Sequence, residues 1–570
     1  MSRHEGTAPL LANEDPRDSF DEEERALLLK EENKQIRRER RRMVLCLGLA
    51  IILTSSAVAF TFFFAKKSLG RSRNVIMMVS DGFGPASQTY GRSFSQFVGN
   101  KAMDDLTALD KILVGSSRTR SSNSLVTDSA AGATAFACAL KTYNGAIGDN
   151  LIPVSLGNTG LIIFFPSTRV LTNARKSYAV VDPNGTPCGT ILEAAKNLGM
   201  LTGLVVTSRV TDATPASFSA HVASRAMESE IAEQQIGFYT LGRQIDLLLG
   251  GGSCFFLPNT TGGCRNDDRD LIKESKEKGW ETVMMNRDDL EQNKDENNAL
   301  VLPALGLFSS TDLSFEIDRN HTQQPSLLEM TETALASLES SAKTNQGFFL
   351  MIEGSRIDLG GHYNDPVAHV HEILMYHATV KAVQKFVSKH PNTLLISTSD
   401  HETGGFTLGV QNDPNTYPDY LWRPEVIAKA KASTEALTWK LVQFLSEDHS
   451  NKQQRAFVKS EILKNGLGIT DAEEEEIAFL ADSERLSPEI LRFLGHAISK
   501  RANLGWTTMG HTGIDVNLYA QGDSDAVASL RGNRENTDIG RTMRDYLSVD
   551  LDYITRLLNK YVDPTFSVLN

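Results

Sequence analysis

The sequence predicts an α/β protein with a mostly parallel central sheet and helices on both faces. Short runs rich in Val, Ile and Leu alternate with longer helical stretches, the pattern of strands buried on two sides. Four of these runs end in chemistry-bearing residues. VIMMVS (75–80) ends in Asp81-Gly82, and LTGLVVTS (201–208) leads into Arg209 and then Asp212-Ala-Thr214. GFFLMI (347–352) ends in Glu353-Gly354, with Asp358 and His362 close behind, and TLLISTS (393–399) ends in Asp400-His401. Ligands of open α/β sheets bind beyond the carboxyl ends of strands, so one sheet edge is expected to gather all of these. An apolar fraction of 41% over 570 residues is ordinary for a globular chain and excludes disordered, collagen-like and polytopic membrane proteins. The formal net charge of −13 argues against nucleic acid as a partner. An acidic protein that handles phosphate needs local cations, from arginine or from bound metal.

Massed carboxylates repel one another and resist ionising together. Multivalent cations relieve that conflict: mixed His/Asp sets suit zinc, and oxygen-only sets suit magnesium. Asp358 and His362 are four apart, so one helical turn brings both to the same face. His369 and His371 follow Pro366 in a predicted helix, where a spacing of two places them on different faces; they read as structural or solvated. Asp400-His401-Glu402 lacks the His-Glu-X-X-His spacing of zinc proteases. VTDSAAGATA (126–135) puts Ser129 among small residues at the start of a helix, where a phosphate can approach the backbone. No Gly-X-Ser-X-Gly elbow occurs, which disfavours an acyl-transferring serine hydrolase.

Met43 to Phe64 is uncharged and long enough to cross a hydrocarbon core of about 30 Å. Arg37, Arg38, Arg40, Arg41 and Arg42 precede it. The positive-inside rule then gives a cytosolic tail (1–42), a signal-anchor (43–65) and a lumenal catalytic domain (66–570), a type II single-pass layout. Within the tail, Glu23-Glu-Arg-Ala-Leu-Leu28 resembles an acidic dileucine signal read by sorting adaptors. Cys254 and Cys264 flank a short Gly-rich loop suited to a local disulfide. Asn184, Asn259 and Asn320 open glycosylation sequons.

Val126-Thr-Asp-Ser-Ala-Ala-Gly-Ala-Thr134 resembles the active-site signature of the alkaline phosphatase family. NVIMMVSDGFG (74–84), DATPASFSAHVASR (212–225), EGSRIDLGGH (353–362), TSDHETGG (398–405) and GHTG (510–513) extend the likeness over roughly residues 74–560. The layout with a membrane anchor is most similar to the vacuolar enzymes of fungi, implying a vacuolar membrane location. The resemblance implies a broad-specificity phosphomonoesterase of alkaline optimum, working through a phosphoserine on Ser129 with two zinc ions and one magnesium. Asp358, His362 and His511 would hold the first zinc; Asp81, Asp400 and His401 would hold the second. Asp81 would bridge to magnesium, shared with Thr214 and Glu353, with Asp212 reaching it through water. Arg225 would grip two phosphate oxygens. A homodimer is implied too, with a crown insertion at about 406–504. Sulfatases and phosphodiesterases share the two-metal core, but Ser129, Arg225 and the third-metal ligands favour a monoesterase.

Leu359 departs from the pattern, standing where bacterial members carry Lys and animal members His. Asp212 follows the bacterial pattern, which favours magnesium. Asp149 to Ala179 has no counterpart, because relatives join KTYNGAIG (141–148) to VVDPNGTPCGTILEAAK (180–196) almost directly. Its uncharged Gly-Leu-Ile-Ile-Phe-Phe run would be an aggregation hazard on a surface loop. Between an inserted hairpin and a retained, translated intron, we read the intron. Tryptic mass spectrometry of the native protein should then find Gly148 followed almost at once by VDPNGTPCGTILEAAK. Detection of the Thr142–Arg169 peptide would overturn that reading.

Overall fold

The computed structural model describes residues 72–144 and 187–559, apart from 223, 343–346, 412 and 483–486. It also describes scattered positions between 26 and 44, and the pairs Val154–Ser155 and Ile162–Ile163. The chain divides into two units, Met1–Arg71 and Ser72–Asn570.

The strands of the main sheet are β1 (Asn74–Ser80), β2 (Leu113–Arg118), β3 (Leu201–Arg209), β4 (Leu247–Gly251) and β5 (Thr282–Met284). They continue with β6 (Ala304–Leu307), β7 (Phe348–Gly354), β8 (Thr393–Thr398), β9 (Val516–Gln521) and β10 (Gly532–Glu535). They form one ten-stranded sheet in the order β10-β2-β9-β8-β1-β7-β3-β4-β6-β5. Every pairing is parallel except the two made by β9, so the sheet is mixed but mostly parallel. The apolar runs do not alternate because both faces are covered. Ile76 and Met78 of β1 enter one core, while Val75, Met77 and Val79 enter the other. Leu350 and Ile352 of β7 divide from Phe349 and Met351 in the same way.

Four helices matter for the site: α1 (Ser129–Cys138), α2 (Ala213–Ser219), α3 (Arg356–His362) and α4 (Pro366–Lys389). A disulfide joins Cys138, the last residue of α1, to Cys188, with Cα atoms 6.1 Å apart. Cys254 and Cys264 are also bonded, as their loop suggested. Asn259 and Asn320 are exposed, and Asn184 lies outside the described residues.

The 406–504 stretch, poorly patterned in sequence, is built of helices such as Thr434–Leu445, Glu474–Leu480 and Ser487–Ala502. Thr407–Leu408 pairs with Leu504–Gly505 at its base. Leu437, Leu441, Ile477, Leu494 and Ile498 continue one of the two cores. Its acidic run has a local cause: Glu474, Glu475 and Glu476 fill the first turn of a helix capped by Glu473, where the helix dipole favours negative charge. Arg501 then takes Asp471 at 2.8 Å and Glu476 at 2.7 Å.

The structure does not support the expected membrane anchor. No helix among the described residues is long and apolar enough to cross a membrane. In the amino-terminal unit the described helical positions fall in the charged stretch before it, between 26 and 44, and all are exposed. Beyond Val44 the 43–65 segment lies outside the described residues. Hydropathy and length alone had carried the span. Type II topology, the vacuolar membrane location, the membrane as partner and the sorting-adaptor contact depended on that span and are likewise left without support. Of the 149–179 insert, Val154–Ser155 and Ile162–Ile163 pair with each other; the rest, including the intron question, lies outside the described residues.

Candidate active site

The carboxyl ends of β1, β7, β3 and β8, neighbours in the sheet, deliver Asp81, Glu353, Asp212 and Asp400 to one edge. α3 turns back immediately after β7 and presents Asp358 and His362. His511 arrives on a short strand whose partner follows Asp400-His401 directly, with Thr403 opposite His511. Two glycines allow these segments to close up. A Cβ on Gly82, at φ +70°, would lie 2.7 Å from the Asp358 Cα, and one on Gly132 in α1 would lie 2.8 Å from the Asp400 Cβ.

Two clusters of metal-ligating atoms result: Asp81, Asp400 and His401, and Asp358, His401 and His511. They share His401, which is fully buried. Its Nε2 lies 3.5 Å from Asp81 Oδ1, 3.3 Å from Asp400 Oδ2 and 3.0 Å from Ser129 Oγ. The sequence expectation had put His362 in the set with Asp358 and His511. His362 is adjacent, with Nε2 3.2 Å from Asp358 Oδ2 and 3.1 Å from His511 Nε2. The outer nitrogens of two histidines are tied to backbone carbonyls: His511 Nδ1 to Thr127 O at 2.8 Å, and His362 Nδ1 to Met509 O at 2.5 Å. Each ring is thereby oriented with Nε2 inward.

The donors fit bound cations. Asp81 Oδ1 and Asp400 Oδ2 are buried and make no hydrogen bond, an arrangement that is costly unless something positive sits between them. Burial, reinforced by Asp400 and Asp358, pushes the Asp81 carboxyl well above the ordinary range. Burial and Asp358 raise Asp400 to about 7. Burial and the neighbouring His511 keep His401 neutral, the form that ligates metal. Asp358 moves the other way. Burial opposes its ionisation, but the adjacent His362, by its charge and its hydrogen bond, holds it well below the usual carboxylate range.

Ser129 is the first residue of α1, and Asp128 caps that helix by accepting from the Ala131 N–H at 3.0 Å. The hydroxyl is therefore free of capping duty and faces His401. Members of the expected third set also interact: Glu353 feels Asp212 and the Thr214 hydroxyl, and Asp81 feels Glu353. Asp212 accepts from Arg225 Nη2 at 2.7 Å through Oδ1 and pairs with Arg209 Nη2 at 3.0 Å through Oδ2. Glu353, pushed up to about 8 by burial and by Asp212, accepts from Ser355 Oγ at 2.6 Å. Thr214 is in α2, two residues after Asp212. His369 is structural as expected, with Nδ1 2.9 Å from Ile357 O and Nε2 2.8 Å from Ser87 Oγ.

Sequence reasoning missed Thr403, whose hydroxyl donates to Asp358 Oδ1 and lies 3.2 Å from His401 Nδ1. It also gave no role to Arg209. Thr403 stands two residues after His401, where a strand returns it to the same face, and that spacing was the available signal.

Clustered Asp and His around a buried serine, at the carboxyl edge of an α/β sheet, are consistent with a metal-dependent phosphomonoesterase. Residues 72–549 match the alkaline phosphatase family. The chain is 44% identical over 535 residues to the repressible alkaline phosphatase of Saccharomyces cerevisiae, covering 90% of this chain and 88% of that protein. It is 45% identical over 518 residues to the alkaline phosphatase of Schizosaccharomyces pombe, with the same coverage. Among solved structures, the Thermus thermophilus alkaline phosphatase matches with a TM-score of 0.64 at 26% identity, covering 86% of this chain and 96% of that one. The chain belongs to the alkaline phosphatase family, and it is a phosphatase.

Proposed function

We propose that this enzyme hydrolyses phosphomonoesters of broad leaving-group type through a phosphoserine on Ser129, at two zinc ions and one magnesium, with an alkaline optimum. The observation that carries the reading is the 3.0 Å approach of Ser129 Oγ to His401 Nε2, the one side chain common to both metal-ligating clusters. Asp358, His362 and His511 would hold one zinc, and Asp81, Asp400 and His401 the other. Asp81, Thr214 and Glu353 would hold magnesium, with Asp212 beside it. Such cations, when bound, lower the pKa of a hydroxyl or water and stabilise attacking and leaving oxygens.

The chain's own residues do the rest. Arg225 holds the phosphate by its planar fork. Ser129 Oγ gives up its proton and bonds to phosphorus as the ester alcohol leaves. Water then breaks the Ser129–phosphorus bond and releases phosphate. Since recognition centres on the phosphoryl group, the alcohol is loosely specified.

Turnover of p-nitrophenyl phosphate with and without a chelator, alongside metal analysis of the purified protein, tests the reading. Full activity in chelator would overturn it. His511→Ala and Asp400→Ala should each lose zinc, with only partial rescue by added zinc. Unchanged metal content in either variant would remove that residue from the ligand set.

A further inference from the structure

We infer that Arg209 is a positioning residue for Arg225, acting through the carboxylate of Asp212. The inference rests on the reading of Arg225 as the phosphate-holding side chain.

Arg209 is the last residue of β3 and only 8% exposed. Each guanidinium nitrogen takes a different carboxylate: Nε to Glu228 Oε2 at 2.9 Å, Nη1 to Asp312 Oδ1 at 2.8 Å, and Nη2 to Asp212 Oδ2 at 3.0 Å. A planar guanidinium spreads its donors over three nitrogens in a fixed plane, whereas an ammonium offers its three from a single point. The stem is also confined. Gly252, at φ +93°, packs so closely that a Cβ there would lie 2.9 Å from the Arg209 Cβ.

The consequence falls on Asp212. Arg209 holds one of its oxygens, so the carboxylate cannot turn. The other oxygen accepts from the Ala213 N–H at 2.7 Å and from Arg225 Nη2 at 2.7 Å. Arg225 itself lies in an irregular segment after α2, and the hydrogen bond described for its guanidinium is this one to Asp212. Its aim is therefore set by a carboxylate whose orientation Arg209 fixes. Without Arg209, Asp212 Oδ2 is also open to Arg225, which would be drawn further onto Asp212 and away from the phosphate. A cation serving only to neutralise Asp212, Glu228 and Asp312 would leave phosphate affinity untouched.

The test is a double-mutant cycle on the metal-loaded enzyme, read as the affinity for inorganic phosphate by calorimetry and as separate kcat and KM values. Arg209→Met should weaken phosphate binding about tenfold, the scale of one charge-assisted hydrogen bond, and raise KM more than it lowers kcat. In an Arg225→Met background the same change should add little further loss. Arg209→Lys keeps the charge but not the fork, and should show a smaller loss with the same dependence on Arg225. It carries the cycle if Arg209→Met fails to fold. Losses that add independently of Arg225, or unchanged phosphate affinity in a folded Arg209 variant, would overturn the proposal alone. Wild-type phosphate affinity in Arg225→Met would overturn the underlying reading of Arg225, and the proposal with it.

Discussion

Ser129→Ala should lower turnover of p-nitrophenyl phosphate by more than about a hundredfold, since water must then attack the ester without a covalent intermediate. The loss should be one of chemistry alone. Asp128, and not Ser129, caps α1, so the substitution removes no cap and places a better helix former at the first helical position. The Ser129 hydroxyl is within reach of His401 but completes neither ligand cluster, so metal content and phosphate affinity should survive. Acid quenching of the wild type during turnover of radiolabelled substrate should trap label on the protein, and the variant should trap none. A purified variant retaining more than about a tenth of wild-type activity would displace Ser129 as nucleophile, because covalent catalysis is worth far more than one decade.

Much of this site was legible because it sits where chain direction is easiest to read. A strand buried on both faces leaves an unbroken apolar run, and the first polar residue after it marks the carboxyl edge. Asp81, Glu353 and Asp400 were found that way, and the structure places their strands side by side. What depended on folding across the sheet was not legible. That His401 also comes to face Asp358 and His511 depends on the antiparallel pairing of Glu402–Thr403 with His511–Thr512, which no local pattern announces. The role of Arg209 depends on Glu228 and Asp312 arriving from separate segments. Cys138 and Cys188 are fifty residues apart in sequence and gave no spacing to read, unlike Cys254 and Cys264. The helices of the 406–504 stretch include seven-residue elements, too short for a helical period to rise above its charged surface.

Removing the metals should destabilise the protein, and by more as the pH rises above neutrality. The sign follows from the raised carboxyls. With no cation present, Asp81 titrates well above its ordinary range, Asp400 near 7 and Glu353 near 8, so the folded state holds protons that the unfolded chain has already released. Stability must then fall with increasing pH, by up to about 1.4 kcal/mol per pH unit for each proton held. Histidines act in the opposite direction below neutrality. Burial lowers the pKa of His401 and His511, so the unfolded chain binds the extra protons there, and stability rises with pH until the ordinary histidine range near 6.5 is passed. Above it the carboxyls alone remain. Asp358 contributes nothing in this window, because its depressed pKa matters only in acid. Glu372 and Asp365, raised to about 7 and about 6 away from the metal-ligating clusters, titrate in loaded and stripped protein alike and cancel in the difference. In the loaded enzyme the ligands are ionised and paired with metal, so the penalty is absent. Melting temperatures of loaded and chelator-stripped protein should therefore diverge between about pH 6.5 and 8.5. A gap that stayed constant or narrowed across that range would mean that the buried Asp81, Asp400 and Glu353 carboxyls are not the groups that bound metal neutralises.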